Sequence, residues 1–357
     1  MEENHDFNGF SYKMDSKAKG LESFQLEHPK NKPESIYKYY GVSSYSIEAL
    51  RDGYFYASHP MELNDHLDSS NFLLGASKPL DIKYYKDFMG EAFGDESKLK
   101  EFYDKDSLSD DGFFAKGFIA QLWQVMSNIF GIVSLTSQDK NDLMWPHYTN
   151  EQGFQLKFHT AKLEASVNSL MEEGDCLGLY PMNYCRDLHP IDLSDFTRFH
   201  IPFLYLTNVK KEAWSYEDEW RFIISKPHMG IPYSKVGLNP RKDHKGIKEN
   251  RRAYYDKTIV KEITLGSNFF TAREFDIDRS NDKFIIIKPI EGKYNYQNHV
   301  EFLNYIHDNH MDKVFYSGKT FGTNDDGQPY LIRTKERLDI HRLDENKYKL
   351  TRTNDFY

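Results

Sequence analysis

The stretch Trp214-Ser215-Tyr216-Glu217-Asp218-Glu219-Trp220-Arg221-Phe222-Ile223-Ile224 sets three acids directly before an apolar run with the pattern of a strand. Desolvating a carboxylate is expensive without a partner, so any fold that buries this strand must bring cations to its mouth. Side chains alternate along a strand, which places Glu217, Glu219 and Arg221 on one face and Asp218, Trp220 and Phe222 on the other. The pattern predicts paired carboxylates flanked by a fixed cation and two tryptophans. The commoner outcome for these residue types is a surface salt bridge, of Glu219 with Arg221 or Lys210, beside a half-buried indole.

With 357 residues the chain can bury a substantial core. Length favours about two domains at ~150 residues each. Hydrophobic residues make up 39% and charged residues 28%, which suits a soluble protein. The net charge of −9 argues against non-specific nucleic-acid binding, while a local basic groove stays open. Arg241–Arg252 is a basic stretch read as an exposed, solvated loop. Cys176 and Cys185 are the only cysteines, so a disulfide framework is not expected and a reducing cytoplasm fits. No apolar run approaches the ~18 residues of a membrane span, and no secretory leader is expected.

Along the chain, residues 1–35 read as a polar N-terminal arm, 36–290 as the main domain and 291–357 as a small appendage. Strands are expected at 36–40, 54–58, 130–136, 153–158, 176–184, 219–225, 259–265 and 284–287. Helices are expected at 44–51, within 81–128, at 163–171 and at 298–307, with a short helix or turn at 141–148 and a late hairpin. Segment 192–210 fits either helix or strand. Short strands with interposed helices predict an α+β fold with a mixed or split β-sheet core and helical insertions.

Four segments together form a recognisable order. They are Ile36-Tyr37-Lys38-Tyr39, Tyr54-Phe55-Tyr56-Ala57-Ser58-His59-Pro60 running into Leu63-Asn64-Asp65, Leu143-Met144-Trp145-Pro146-His147-Tyr148 with Gly153-Phe154, and Trp214–Arg221. This order resembles the uncharacterised bacterial family labelled domain of unknown function 2971, over roughly residues 36–290. Leu63, His66-Leu67 and Pro146 depart from that family's pattern. The family brings no established activity with it.

More distantly, the aromatic strand, helix and second strand, followed by Ser134-Leu135-Thr136-Ser137 and a late Glu217-Asp218-Glu219, resemble the layout of ADP-ribosyltransferases. The resemblance implies NAD as substrate, with Glu219 on the ribose and Glu217 in support. Cleaving the nicotinamide–ribose bond develops positive charge on the sugar, which a nearby carboxylate stabilises. The first strand carries Lys38 where that superfamily usually has His or Arg. The cleft would be bounded by Tyr37, Lys38 and Tyr39, by Trp145, His147 and Tyr148, and by Glu217–Arg221. Lys38 and Arg221 would meet phosphates, and Ser134 and Thr136 would orient the acid.

Each candidate also has an ordinary reading: Lys38 an edge-strand lysine, Trp145 a core anchor, Asn64 and Asp65 a turn, Ser134 and Thr136 plain strand residues. No Gly-rich phosphate loop, zinc-spaced cysteines or nucleophile elbow is present, and no metal is expected. The acceptor is open: a protein, a nucleic acid or water. A stress, toxin or phage-defence role would suit such chemistry. The alternatives are a non-catalytic nucleotide- or protein-binding module, and a metal-dependent nuclease using Asp218 and Glu219, which lacks a convincing third acid.

Overall fold

A computed structural model describes residues 2–15, 24–78, 80, 100–101, 104, 113–172, 176–226, 228–230 and 248–356. Between 81 and 112, where helices are expected, only residues 100, 101 and 104 are described, all as helical, and residues 241–247 of the basic stretch lie outside the described residues. The chain divides into two units: Met1–Asn31 with Tyr56–Ser134 and Met171–Ala253, and Lys32–Phe55 with Leu135–Leu170 and Tyr254–Tyr357. The architecture is α+β with mixed strand pairing, as expected from the sequence.

In the first unit, residues expected as a polar arm form a three-stranded antiparallel sheet of Glu2–Phe7, Phe10–Asp15 and Phe24–Glu27. Phe10, Tyr12 and Met14 alternate inward, and their inner face packs on the buried helix His200–Asn208. That helix settles the ambiguous segment 192–210. Eight of its nine residues are buried, so it has no polar face for a 3.6-residue period to reveal. Pro202 sits in its first turn, where the missing N–H costs no hydrogen bond. The helix Phe113–Ile129 adds Phe118, Ile119, Leu122 and Met126 to the same core. Strand Glu219–Ser225 lies between Phe130–Thr136 and Cys176–Pro181.

Arg251 corrects the reading of the basic stretch as wholly exposed. It is buried, and its guanidinium donates to the carbonyls of Ala57, Phe130, Ser127 and Gly230. One rigid, always-charged fork thus satisfies four backbone acceptors from three places in the chain.

In the second unit, strand order runs Phe275–Asp278, Ile285–Pro289, Lys347–Phe356, Pro329–Asp344, Val314–Thr323, Glu262–Leu265, Phe154–His159 and Ser35–Tyr40. Glu262–Leu265 pairs parallel with Val314–Thr323, and its other edge is antiparallel. Residues 291–357 are therefore not a peripheral appendage, because their long strands occupy the middle of this sheet. Helix Ser44–Asp52 is set by a capping box between Ser43 and Ser46 and ends at Gly53 in the left-handed conformation (φ 74°). Its Ile47 and Leu50, with Phe154, Phe158, Phe302 and Ile306, are buried.

Candidate functional site

Strand Glu219–Ser225 forms where the sequence places it, and Glu219 and Arg221 share a face as alternation requires. Glu217 does not extend the strand. It ends the 3-10 turn Glu212–Glu217, and Asp218 follows in the left-handed region at φ 37°. The chain kinks there, yet the Glu217 carboxylate still arrives beside Glu219 because both meet the same lysine. Lys210 Nζ lies 2.6 Å from Glu217 Oε2 and 2.9 Å from Glu219 Oε2.

Arg221 completes the cluster from below. Its Nε donates to Glu219 Oε1 at 2.7 Å and its Nη2 to Glu219 Oε2 at 3.1 Å. Nη1 donates to Asp68 Oδ1 at 2.8 Å and to the Thr207 carbonyl at 2.9 Å, and Nη2 also donates to Asp68 Oδ2. Lys210 is 3.7 Å from Asp68. Three carboxylates thus face two cations, and none of the five is more than 5% exposed. Asp68 is presented by a turn in which Ser69 adopts φ 55° and gives its carbonyl to Trp123 Nε1 at 2.8 Å. Ser69 Oγ donates to Asp68 Oδ1 at 3.0 Å.

The electrostatics follow from this geometry. Burial pushes the Glu219 pKa up, but the charges of Arg221 and Lys210 and hydrogen bonds from Arg221 and Ser134 outweigh it, so the carboxyl titrates far below the usual range. Burial works against the charged forms of Arg221 and Lys210 as well. The acids around them win: Asp68 then Glu219 for Arg221, Glu219 foremost for Lys210, and both remain cationic. Tyr184 Oη accepts the Glu219 backbone N–H at 2.9 Å. Burial, then the charges of Glu219 and Glu217, push the Tyr184 phenol up, so it stays neutral. Outside the carboxylates, Lys210 Nζ sits 5.1 Å from the centre of the half-buried Trp214 ring, with the Tyr216 ring 6.1 Å from that of Trp214.

The sequence therefore identified Glu217, Glu219, Arg221 and Ser134 as neighbours, and Lys210 as a partner of Glu219. The pairing is buried, where a surface salt bridge was the ordinary expectation. Asp68 was missed, although it stands three residues after Asp65 in the already noted Leu63-Asn64-Asp65 segment. Arg221 is not placed to hold a phosphate, because Asp68, Glu219, Ser69 and Thr207 occupy its donors. The nuclease arrangement is likewise not formed: Asp218 turns to Lys30 at 3.0 Å, and the space among the carboxylates holds Lys210 and Arg221. Among the described residues no group of three or more His, Cys, Asp or Glu could hold a metal ion.

Tyr37, Lys38, Tyr39, Thr136, Trp145, His147 and Tyr148 belong to the second unit, whereas Ser134, Glu217, Glu219 and Arg221 belong to the first. Tyr37 and Tyr39 are buried, with Lys38 between them over the Tyr40 ring at 5.9 Å. Burial raises the pKa of both tyrosines. Trp145, 1% exposed, is the core anchor of helix Met144–Thr149. It packs edge-on to Tyr39 at 5.0 Å with the Arg333 guanidinium 5.6 Å from its ring centre. His147 and Tyr148 lie on the exposed side of the same helix, ring centres 4.8 Å apart, so they do not share a wall with Trp145. Thr136 Oγ1 accepts the Gln138 N–H at 2.9 Å.

A second buried ionic group holds this unit. Glu151, at φ 62°, takes Arg333 through both oxygens at 2.9 and 3.1 Å, Lys319 at 2.7 Å and Ser267 Oγ at 2.9 Å. Burial raises its pKa and these donors lower it further, so it is ionised. Its signal in the sequence is faint: Glu151 stands alone in a turn, 182 residues from Arg333.

No helix of the described residues is long and apolar enough to cross a membrane. No curated protein and no solved structure matches the chain. Residues 144–222 match the model of a family described as "Protein of unknown function (DUF2971)". They include the Met144–Tyr148 and Trp214–Arg221 segments, so over about a fifth of its length the chain is similar to that family.

Proposed function

We propose that the chain is an NAD-cleaving enzyme with an ADP-ribosyltransferase-like core, in which Glu219 is the carboxylate that grips the ribose and stabilises the oxocarbenium ion. The observation that carries this reading is that Glu219 is held ionised and oriented from both sides, next to Ser134. A carboxylate that is fixed in advance pays no reorganisation when positive charge develops on a sugar. Glu217 shares Lys210 with it, and Trp214 and Tyr216 offer aromatic faces close to that lysine. The strand–helix–strand opening of Ser35–Tyr40, Ser44–Asp52 and Tyr54–Tyr56 accords with the resemblance that suggested the reading.

The same geometry sets a condition. Glu219 is buried and accepts from Arg221 and Lys210, so a ribose hydroxyl reaches it only after a rearrangement that uncovers the carboxylate. Lys210 is the partner able to swing away, since Glu217 also holds it, whereas Arg221 is pinned by Asp68.

Burial of all five charges favours a second reading, a non-catalytic module in which the cluster is purely a structural keystone. Nicotinamide release from NAD by wild type, Glu219→Gln and Ser134→Ala, with cell extract as acceptor source, separates the two. Release by wild type and its loss in a Glu219→Gln protein that circular dichroism shows to be folded supports the enzyme. No release by folded wild type, with or without extract, overturns it and leaves the keystone.

A further inference from the structure

The second unit contains a cavity of about 820 Å³ at the 279–285 segment and the facing strands Val314–Thr323, Pro329–Asp344 and Lys347–Phe356. Three cations, Arg279, Lys283 and Arg352, line it with two acids, Asp282 and Glu336. The cations stand out in a chain whose net charge is −9. Arg352 is fixed in place, because its Nε and Nη2 donate to the two oxygens of buried Glu336 at 2.5 Å each. Its Nη1 makes no hydrogen bond among the described residues, and neither do the heads of the exposed Arg279 and Lys283. The cavity therefore holds uncommitted donors around one preset guanidinium.

Aromatic rings face the same space. Arg352 lies 5.8 Å from the centre of the Tyr316 ring, whose hydroxyl is tied to the Ser267 carbonyl at 2.6 Å. Phe270 and Phe284 line the cavity with it. Arg279 is close enough to act electrostatically on Tyr316. Planar rings stack on aromatic and guanidinium faces, and uncommitted Arg and Lys donors suit phosphate oxygens. The volume lies within the range of small-ligand sites.

From this juxtaposition we infer that the cavity binds a nucleoside phosphate, its base among Tyr316, Phe270 and Phe284 and its phosphates on Arg279, Lys283 and Arg352. This site is separate from Glu219 and independent of the chemistry proposed there. The residues that carry it are strand and turn positions far beyond the 144–222 family match.

Calorimetric titration of the full chain with ADP, adenosine and pyrophosphate tests the assignment. Saturable ADP binding is expected, with adenosine and pyrophosphate each at least tenfold weaker. The double variant Arg279→Gln, Lys283→Gln removes exposed side chains without protein hydrogen bonds, so it should keep the wild-type melting midpoint and lose at least tenfold in ADP affinity. Phe284→Ala should weaken ADP and leave pyrophosphate unchanged. Arg352→Gln would strand Glu336 and is not the decisive variant. Absence of saturable ADP binding, equal affinity for ADP and pyrophosphate, or an unchanged ADP affinity in the folded double variant would overturn the proposal.

Discussion

Arg221 and Asp68, 153 residues apart in sequence, meet face to face in the buried interior, with Nη1 2.8 Å from Oδ1 and Nη2 on the second oxygen. The same guanidinium holds Glu219, so a single side chain neutralises two carboxylates from distant segments. Removing it leaves both acids buried with Lys210 as their nearest cation.

Arg221→Met should therefore destabilise the fold by about 3–5 kcal/mol, the usual cost of stranding a buried charge. Asp68→Leu combined with it should cost less than the two single changes added, because the second change removes one of the stranded acids. A coupling of about 0.5–3 kcal/mol in urea denaturation is expected. Strict additivity would show that the pair is energetically idle.

Stability should fall as pH is lowered, in two overlapping windows. His59 is pushed down to about 3, and His299 and His310 to about 4, by burial above all. Below pH 6.5 the unfolded chain takes up protons that these buried rings refuse, so their contribution is present above 6.5 and shrinks toward pH 4. Glu219, depressed by Arg221 and Lys210 against its burial, adds a contribution present above the ordinary glutamate range and lost below it. His59→Asn keeps an acceptor for the Met61 N–H, now made by Nδ1 at 3.0 Å, and should flatten the upper window. Urea midpoints between pH 7.5 and 4.5 provide the measurement; a flat profile for wild type would contradict it.

Glycine substitutions should split in sign. A Cβ on Gly153 would stand 2.0 Å from the Tyr40 carbonyl oxygen, and one on Gly266 would stand 2.3 Å from that of Glu151. Both clashes are with backbone, which cannot rotate aside, so Gly153→Ala and Gly266→Ala should each cost about 3 kcal/mol or more. Gly117, inside helix Phe113–Ile129, has nothing within 4 Å of such a Cβ. Gly117→Ala should raise stability by about 0.5–1 kcal/mol. Thermal melting of the three variants checks the split.

Arg251→Lys should be far from conservative. A single ammonium cannot reach the carbonyls of Ala57, Phe130, Ser127 and Gly230 together. Leaving buried acceptors unmet should cost at least about 2 kcal/mol. Circular dichroism melting would reveal this, and a lysine variant as stable as wild type would dismiss the clamp.

Much of the local structure was legible because it rests on neighbours in sequence. Ser43 and Ser46 with Gly53 bracket helix Ser44–Asp52, and the apolar run after Glu219 gives its strand to the residue. Trp145 as an anchor followed from its size and its turn. What stayed hidden depends on distant partners. Phe10, Tyr12 and Met14 alternate inward, but the polar residues between them made the segment look unstructured. Strand Pro329–Asp344 mixes charged and apolar positions for the same reason, and several of its buried residues are ions paired across the unit, such as Arg333 with Glu151. Asp68 carries no local mark of its role, because the argument for it lies in Arg221.

The match over residues 144–222 begins inside the second unit and ends partway along strand Glu219–Ser225. It contains Arg221 but not Asp68, and Trp145 but not Arg333. The stretch that matches the family is therefore not what can be excised: a fragment cut at those limits would carry two counter-ions without their mates and half a strand without its end. Any gene design meant to yield a folded piece has to follow the ion pairs and start upstream of Asp68.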